Sequence, residues 1–207
     1  GVGVYTLIVS SALGSALQEF IQAGRLVIGI CNGFQVLVNL GVLPGLPGRA
    51  DARLAALIPN DCGNFRDAWV HLKAMDSRCV FTQGLDRLEL PIRHGEGKFY
   101  ADGPVLAELA DRGQIALKYA GPSGNVAMGR FPHNPNGSLL DIAGVTDATG
   151  RVLGLMPHPE AHISSFQHPT WTREKEAWRR RGEPYPEQVG DGLAIFTNAV
   201  RYLQDQV

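Results

Sequence analysis

The run Leu26-Val27-Ile28-Gly29-Ile30-Cys31-Asn32-Gly33-Phe34-Gln35-Val36-Leu37-Val38 decides the fold. Leu26 to Ile30 is short, apolar and without alternation, the pattern of a strand buried on both faces. From Gly33 the apolar residues Phe34, Leu37, Val38 and Leu40 recur at helical spacing, and Gly41 closes the helix. A buried strand running directly into a helix is a building unit of α/β folds. Cys31 stands on the turn between them.

Upstream, Leu13, Leu17, Phe20 and Ile21 predict an amphipathic helix over residues 11–23, stopped by Gly24. Downstream, apolar runs predict strands at 54–58, 68–74, 88–93, 115–119, 142–146 and 152–156. His94-Gly95-Glu96-Gly97 ends the third of these, and residues 121–138 form a long polar loop. Helices are predicted over 104–112, 170–181 and 192–204, the middle one charged and on the surface. Mixed elements with buried strands predict the α/β class, with a central, mainly parallel sheet and a single domain over residues 1–207.

Composition sets limits on function. The chain has 207 residues, 44% hydrophobic and 19% charged, enough for one sizeable core. Nineteen basic against twenty acidic residues argue against a nucleic-acid partner held by bulk charge. No apolar run is long enough to span a bilayer, so no membrane partner is expected. Gly1 to Val4 carries no leader signature. Cys31, Cys62 and Cys79 are too few and odd in number for a disulfide scaffold, which suits a reducing compartment such as the cytoplasm. Arg173 to Arg181 is basic but broken by Glu174 and Glu176. It reads as a solvated helix or a subunit contact rather than an RNA-binding segment.

Gly29-Ile30-Cys31-Asn32-Gly33 has the G-x-C-x-G form, the cysteine version of a nucleophile elbow. A nucleophile on so sharp a turn sits in a strained backbone conformation, and the flanking glycines are expected to avoid a clash there. The helix that follows aims its N-terminus at the sulfur, which favours thiolate. The Asn32 N–H is placed to donate to an oxyanion. The pentapeptide alone is equally compatible with a buried structural cysteine; the strand before it and helix after it favour the catalytic reading.

A thiol nucleophile needs a base. Among six histidines, His158 is the best placed, because it follows the buried run Leu153-Gly154-Leu155-Met156-Pro157 and so also sits past a strand's C-terminal end. Glu160, two residues on, suits the role of carboxylate partner to the imidazole. A metal site made by His158, Glu160 and His162 is disfavoured, since Pro159 prevents the helix that would align the two histidines. No metal is expected.

The segments VIGICNGFQVL (27–37) and VLGLMPHPE (152–160) resemble those of class I, or triad, glutamine amidotransferases. LPIRHGEGKFY (90–100), NPNGS (134–138), IAG (142–144) and GDGLAIFTNAV (190–200) narrow the resemblance to the glutaminase component of phosphoribosylformylglycinamidine synthase. The resemblance runs from about Leu17 to the end of the chain. It implies a flavodoxin-like three-layer sandwich. It implies Cys31 as nucleophile, His158 as general base and acid, and Glu160 as the third triad member. Gly33, Gln35 and His94 are implied as substrate-binding, and the Asn32 amide as oxyanion donor. Glu96, Asn134, Asn136 and Ser138 are implied as a loop that meets substrate or partner.

The same resemblance implies glutamine as substrate and a separate synthetase subunit, with a small accessory subunit, as partners. The reaction fed by the ammonia is the ATP-dependent conversion of formylglycinamide ribonucleotide to its amidine in purine biosynthesis. This chain shows no G-x-x-x-x-G-K-[ST] loop, so it is expected to need no cofactor, with ATP and magnesium on the synthetase. The family begins with further elements and a Pro-Gly-Gly-type loop bearing a second oxyanion donor, so the domain is expected to be N-terminally incomplete as given. Two other readings remain open at this level: a different cysteine hydrolase, such as a γ-glutamyl hydrolase or peptidase, and an inert interaction module.

Overall fold

The computed structural model describes residues 14–49, 52–185 and 188–206. Helix α1 occupies residues 14–22, inside the predicted 11–23; Ser11 to Leu13 lie outside the described residues. Strand β1 (Val27–Ile30) and helix α2 (Asn32–Asn39) follow as the apolar pattern requires. Then come β2 (Ala55–Pro59), β3 (Arg66–Ala74), β4 (Arg87–His94), β5 (Glu96–Ala101), α3 (Gly103–Asp111), β6 (Ile115–Ala120), β7 (Ile142–Thr146), β8 (Val152–Leu155), α4 (Trp171–Arg180) and α5 (Leu193–Gln204). Strand β5 is absent from the sequence prediction. Its two nearby glycines, Gly95 and Gly97, read as a loop, whereas the chain re-extends at Glu96 and pairs with β2.

The main sheet has the order β1-β8-β7-β6-β3-β4, and β2 and β5 form a separate antiparallel pair. The mainly parallel sheet expected from the sequence is corrected here. Among the described residues only β1 and β8 pair in parallel, and the other neighbours in the main sheet are antiparallel. The physical reason is coverage. Apolar material lies on both faces, so antiparallel strands are as continuously apolar as buried parallel ones. In β8, Leu153 and Leu155 join the cluster that includes Ile195 of α5, while Val152 joins the cluster built from α2, α3 and the β2/β5 pair. The class is therefore α/β with a mixed sheet. Helix α4 has no buried residue, and its Glu176 binds Arg179 and Arg180, as a solvated helix would.

Candidate active site

The site grows from the parallel pairing of β1 with β8. Gly29 lies opposite Gly154 and Ile30 opposite Leu155, so the residues after β1 and after β8 leave the sheet at the same edge. Cys31 N–H still donates to the Leu155 carbonyl at 2.8 Å. The backbone then turns at φ 51°, and α2 begins at Asn32. A non-glycine residue in that region costs on the order of 1–3 kcal/mol. Surrounding bonds hold it, including the Gln35 N–H donating to the Cys31 carbonyl at 3.1 Å.

The two flanking glycines serve different purposes. A Cβ on Gly29 would come within 2.5 Å of the Leu37 side chain and 2.8 Å of the Gly33 carbonyl, so only glycine fits there. At Gly33 a Cβ would meet nothing within 4 Å. The clash expected on that side of the elbow is not present.

The Cys31 thiol is partly buried, and its Sγ lies 3.8 Å from the Arg93 carbonyl. Burial pushes the thiol above its ordinary pKa; the Asn32 N–H pulls it down, and the Glu160 carboxylate pushes it up again. The balance is upward. The thiolate expected from the helix terminus alone is therefore not the resting form, because desolvation outweighs the single amide.

His158 lies just beyond β8, and its N–H donates to the Pro91 carbonyl at 2.8 Å, which fixes the segment to β4. Pro159 to Ala161 make one turn of 3-10 helix, stiffened by the proline. That turn brings the Glu160 carboxylate to 2.6 Å from His158 Nδ1. A carboxylate only accepts, so Nδ1 carries the hydrogen, and in the neutral ring Nε2 keeps its lone pair. Nε2 is buried and has no partner. Cys31, Asn32, Gln35, His94, Glu96 and His158 all line one cavity of about 530 Å³. A thiol on a strained backbone turn and an imidazole thus line a common space large enough for a small polar substrate.

The remaining predicted residues divide into two groups. Gln35 and His94 are buried in the cavity wall. Gln35 Nε2 donates to the Glu96 carbonyl at 2.6 Å, leaving Oε1 without a partner. The Glu96 side chain is exposed at the rim. Asn134, Asn136 and Ser138 have buried side chains that brace the main chain. Asn136 Nδ2 donates to the Gly97 carbonyl at 2.8 Å, Ser138 Oγ accepts from Phe99 N–H at 3.0 Å, and Asn134 Oδ1 accepts from the N–H groups of Gly137 and Ser138. These three side chains clamp β5.

Sequence reasoning missed Asn60, Phe65, Arg93 and Tyr119. Phe65 and Arg93 line the cavity. Tyr119 is buried, accepts from Asn136 Nδ2 at 3.2 Å and has its phenol pKa raised, first by burial and also by Cys31. Asn60, Phe65 and Tyr119 come from segments far from the motifs in sequence, and Arg93, though next to His94, carries no signal of its own at that position. Among the described residues no group of three or more His, Cys, Asp and Glu side chains is arranged to hold a metal ion. His162 Nδ1 is bonded to the Glu89 carbonyl at 2.7 Å. Among the described residues no helix is long and apolar enough to cross a membrane.

Comparison with known proteins places this geometry. Residues 1–203 match the CobB/CobQ-like glutamine amidotransferase domain. A Methanococcus maripaludis protein, phosphoribosylformylglycinamidine synthase subunit PurQ, is 46% identical over 186 residues, covering 90% of this chain and 68% of the relative. The Dehalococcoides mccartyi protein of the same name is 42% identical over 191 residues, covering 92% and 68%. The solved structure of PurLQS from Thermotoga maritima is similar with a TM-score of 0.60 and 27% identity, covering 90% of this chain and 66% of that one. The chain thus spans about two thirds of the length of the relatives it matches.

Proposed function

The chain belongs to the family of CobB/CobQ-like glutamine amidotransferase domains, and from that premise we propose that it hydrolyses glutamine at Cys31 and delivers the ammonia to a phosphoribosylformylglycinamidine synthase. One observation carries the chemistry: His158 is held by Glu160 through Nδ1, with its free Nε2 buried at the cavity that the strained Cys31 turn also lines.

In this reading the Cys31 thiol, kept protonated at rest by burial, passes its proton to His158 Nε2 as substrate binds. The carboxylate of Glu160 stabilises the resulting imidazolium. The sulfur attacks the side-chain amide carbon of glutamine, and the Asn32 N–H donates to the oxyanion that forms. The intermediate collapses as the carbon–nitrogen bond breaks, with His158 returning the proton to the departing nitrogen. Ammonia leaves, and a γ-glutamyl thioester remains on Cys31. His158 then takes a proton from water, the hydroxide attacks the thioester, the carbon–sulfur bond breaks, and glutamate and the thiol are restored. Gln35 and His94 line the substrate space, and Gly33 leaves it open.

The partners follow from the same reading. Relatives named as a synthase subunit, and a similar structure named PurLQS, support a separate synthetase subunit and a small accessory subunit. The synthetase would hold ATP and magnesium and use the ammonia to turn formylglycinamide ribonucleotide into its amidine. We place the reaction in the cytoplasm, a reading supported by the three unpaired cysteines.

The test is glutamine hydrolysis by the full-length protein with and without its synthetase. The expected result is slow hydrolysis alone and faster, ATP-coupled hydrolysis in the complex. Cleavage of folate-polyglutamate or peptides in place of glutamine would assign the site to another hydrolase. No turnover of any of them would favour an inert module.

A further inference from the structure

The mechanism above makes no use of Gly190-Asp191-Gly192, the start of the last sequence motif, yet this segment lies against the turn that carries His158 and Glu160. Strand β4 ends the main sheet and pairs only with β3 among the described residues, so its outer edge is free to bond other segments. The alternate residues Arg93, Pro91 and Glu89 turn their carbonyls to that edge. They meet, in order, Cys31 Sγ at 3.8 Å, the His158 N–H at 2.8 Å and His162 Nδ1 at 2.7 Å. Pro91 has no N–H to leave unpaired there. A carbonyl only accepts, so His162 Nδ1 is a donor. The Glu89 N–H, on the same edge, donates to Asp191 Oδ2 at 2.7 Å. The Gly192 N–H donates to the His162 carbonyl at 2.8 Å. Asp191, Glu89, His162 and Gly192 thus close a ring of bonds at the foot of the turn over residues 158–162. A Cβ on Gly190 would collide with the His162 carbonyl, and one on Gly192 with the Pro159 carbonyl. The two glycines let the segment lie flush on the turn, and the aspartate between them ties it to β4.

Resting on the glutaminase reading, we propose that Asp191 is a positioning residue for the general base: by holding the edge of β4 at Glu89 against His162, it fixes the 158–162 turn in the register that faces His158 toward Cys31. The outward carbonyls of a strand repeat every two residues, about 7 Å, so β4 spaces Cys31, His158 and His162 by its own repeat. Loosening one anchor lets the turn shift against the sulfur. A misplacement of about 1 Å between reacting groups costs on the order of a hundredfold in rate. Asp191 does not line the cavity. Gln35 and Glu96, which do, are bonded to one another and not to this ring. The effect of Asp191 therefore falls on the rate of the chemical step and not on the binding of glutamine.

The experiment uses the full-length protein in complex with its synthetase. It compares wild type with Asp191→Ala, Asp191→Asn and His162→Phe, each checked for folding by its melting curve. Asp191 is exposed, so its truncation opens no cavity. Rapid-quench measurement gives the rate of Cys31 acylation at saturating glutamine, and steady-state kinetics give KM. Asp191→Ala is expected to slow acylation by about tenfold or more, with KM within about twofold of wild type. Asp191→Asn keeps an oxygen that accepts from Glu89 N–H and should recover most of the rate. His162→Phe keeps a ring beside Trp69 but loses the donor, and should match Asp191→Ala. Placed in a His158→Asn background, Asp191→Ala should cost less than about twofold, because the base it positions is gone; a general structural defect would cost the same in both backgrounds. Amide exchange read by mass spectrometry should speed up in the 157–162 peptide of Asp191→Ala and stay unchanged over 142–146. Acylation within about twofold of wild type, a loss undiminished without His158, or a rise in KM as large as the loss in rate would overturn the proposal. A wild-type complex that does not hydrolyse glutamine sinks the hydrolase reading, and the exchange measurement then decides the anchor by itself: faster exchange confined to 157–162 upholds it, and unchanged exchange sinks both.

Discussion

At the scale of single residues, two titratable groups of the cavity, Cys31 and His94, are shifted mainly by desolvation, and in opposite directions. Burial raises the Cys31 thiol and lowers His94 to about 4. For Cys31 this predicts a resting thiol: in the substrate-free protein its alkylation rate should be low at neutral pH and climb steeply into the alkaline range. A rate already at its plateau near pH 7 would show a preformed thiolate instead. For His94 the sign follows from linkage. The unfolded chain takes up the proton near the ordinary value of 6.5 and the folded one only near 4, so stability is full above about pH 6.5 and declines as pH falls toward 4. The group accounts for on the order of 3 kcal/mol of that loss. Denaturant midpoints of wild type and His94→Gln across this interval should converge as pH drops; parallel curves would refute the assignment. The proposed triad residues were legible in the sequence because their chemistry is encoded locally: Cys31 between glycines, and Glu160 two residues from His158. Asn60 was not, because it meets His94 across 34 positions, and no spacing rule joins an asparagine to a histidine that far away.

At the scale of elements, the elbow depends on how closely β1 and α2 approach one another. Gly29→Ala would push a methyl into Leu37 and the Gly33 carbonyl, while Gly33→Ala meets open space. Overpacking of this kind costs about 1–3 kcal/mol, which for a chain of this size lowers Tm by several degrees. Gly29→Ala should show that drop, and Gly33→Ala should melt close to wild type, by differential scanning calorimetry. Equal melting points for the two would mean that the strand and helix are less tightly apposed than described. The strand–turn–helix unit itself was readable, because the hydrophobic period changes at Cys31. Strand direction was not. Runs such as Ile142–Thr146 and Val152–Leu155 are apolar on both faces because both faces of the sheet are covered, and that signal is the same for parallel and antiparallel neighbours. Strand β5 was hidden for a related reason: its start lies between glycines, and it is held in place by Asn136 and Ser138 from a distant loop.

At the scale of the whole molecule, the parallel pairing of β1 with β8 brings the proposed catalytic residues to one edge of the sheet. β1 delivers Cys31, the proposed nucleophile, β8 delivers His158, the proposed base, and His94 and Glu96 at the β4–β5 corner line the same cavity. The reaction proposed for that edge passes through a γ-glutamyl thioester on one cysteine. The most direct test is to quench the full-length protein with acid during turnover of glutamine, in complex with its synthetase, and map the acylated peptide by mass spectrometry. The account predicts a glutamyl group on Cys31, absent from Cys62 and Cys79, and formed far more slowly in His158→Asn. Steady glutamate release with the label on another cysteine, or undiminished release in Cys31→Ala, would contradict it.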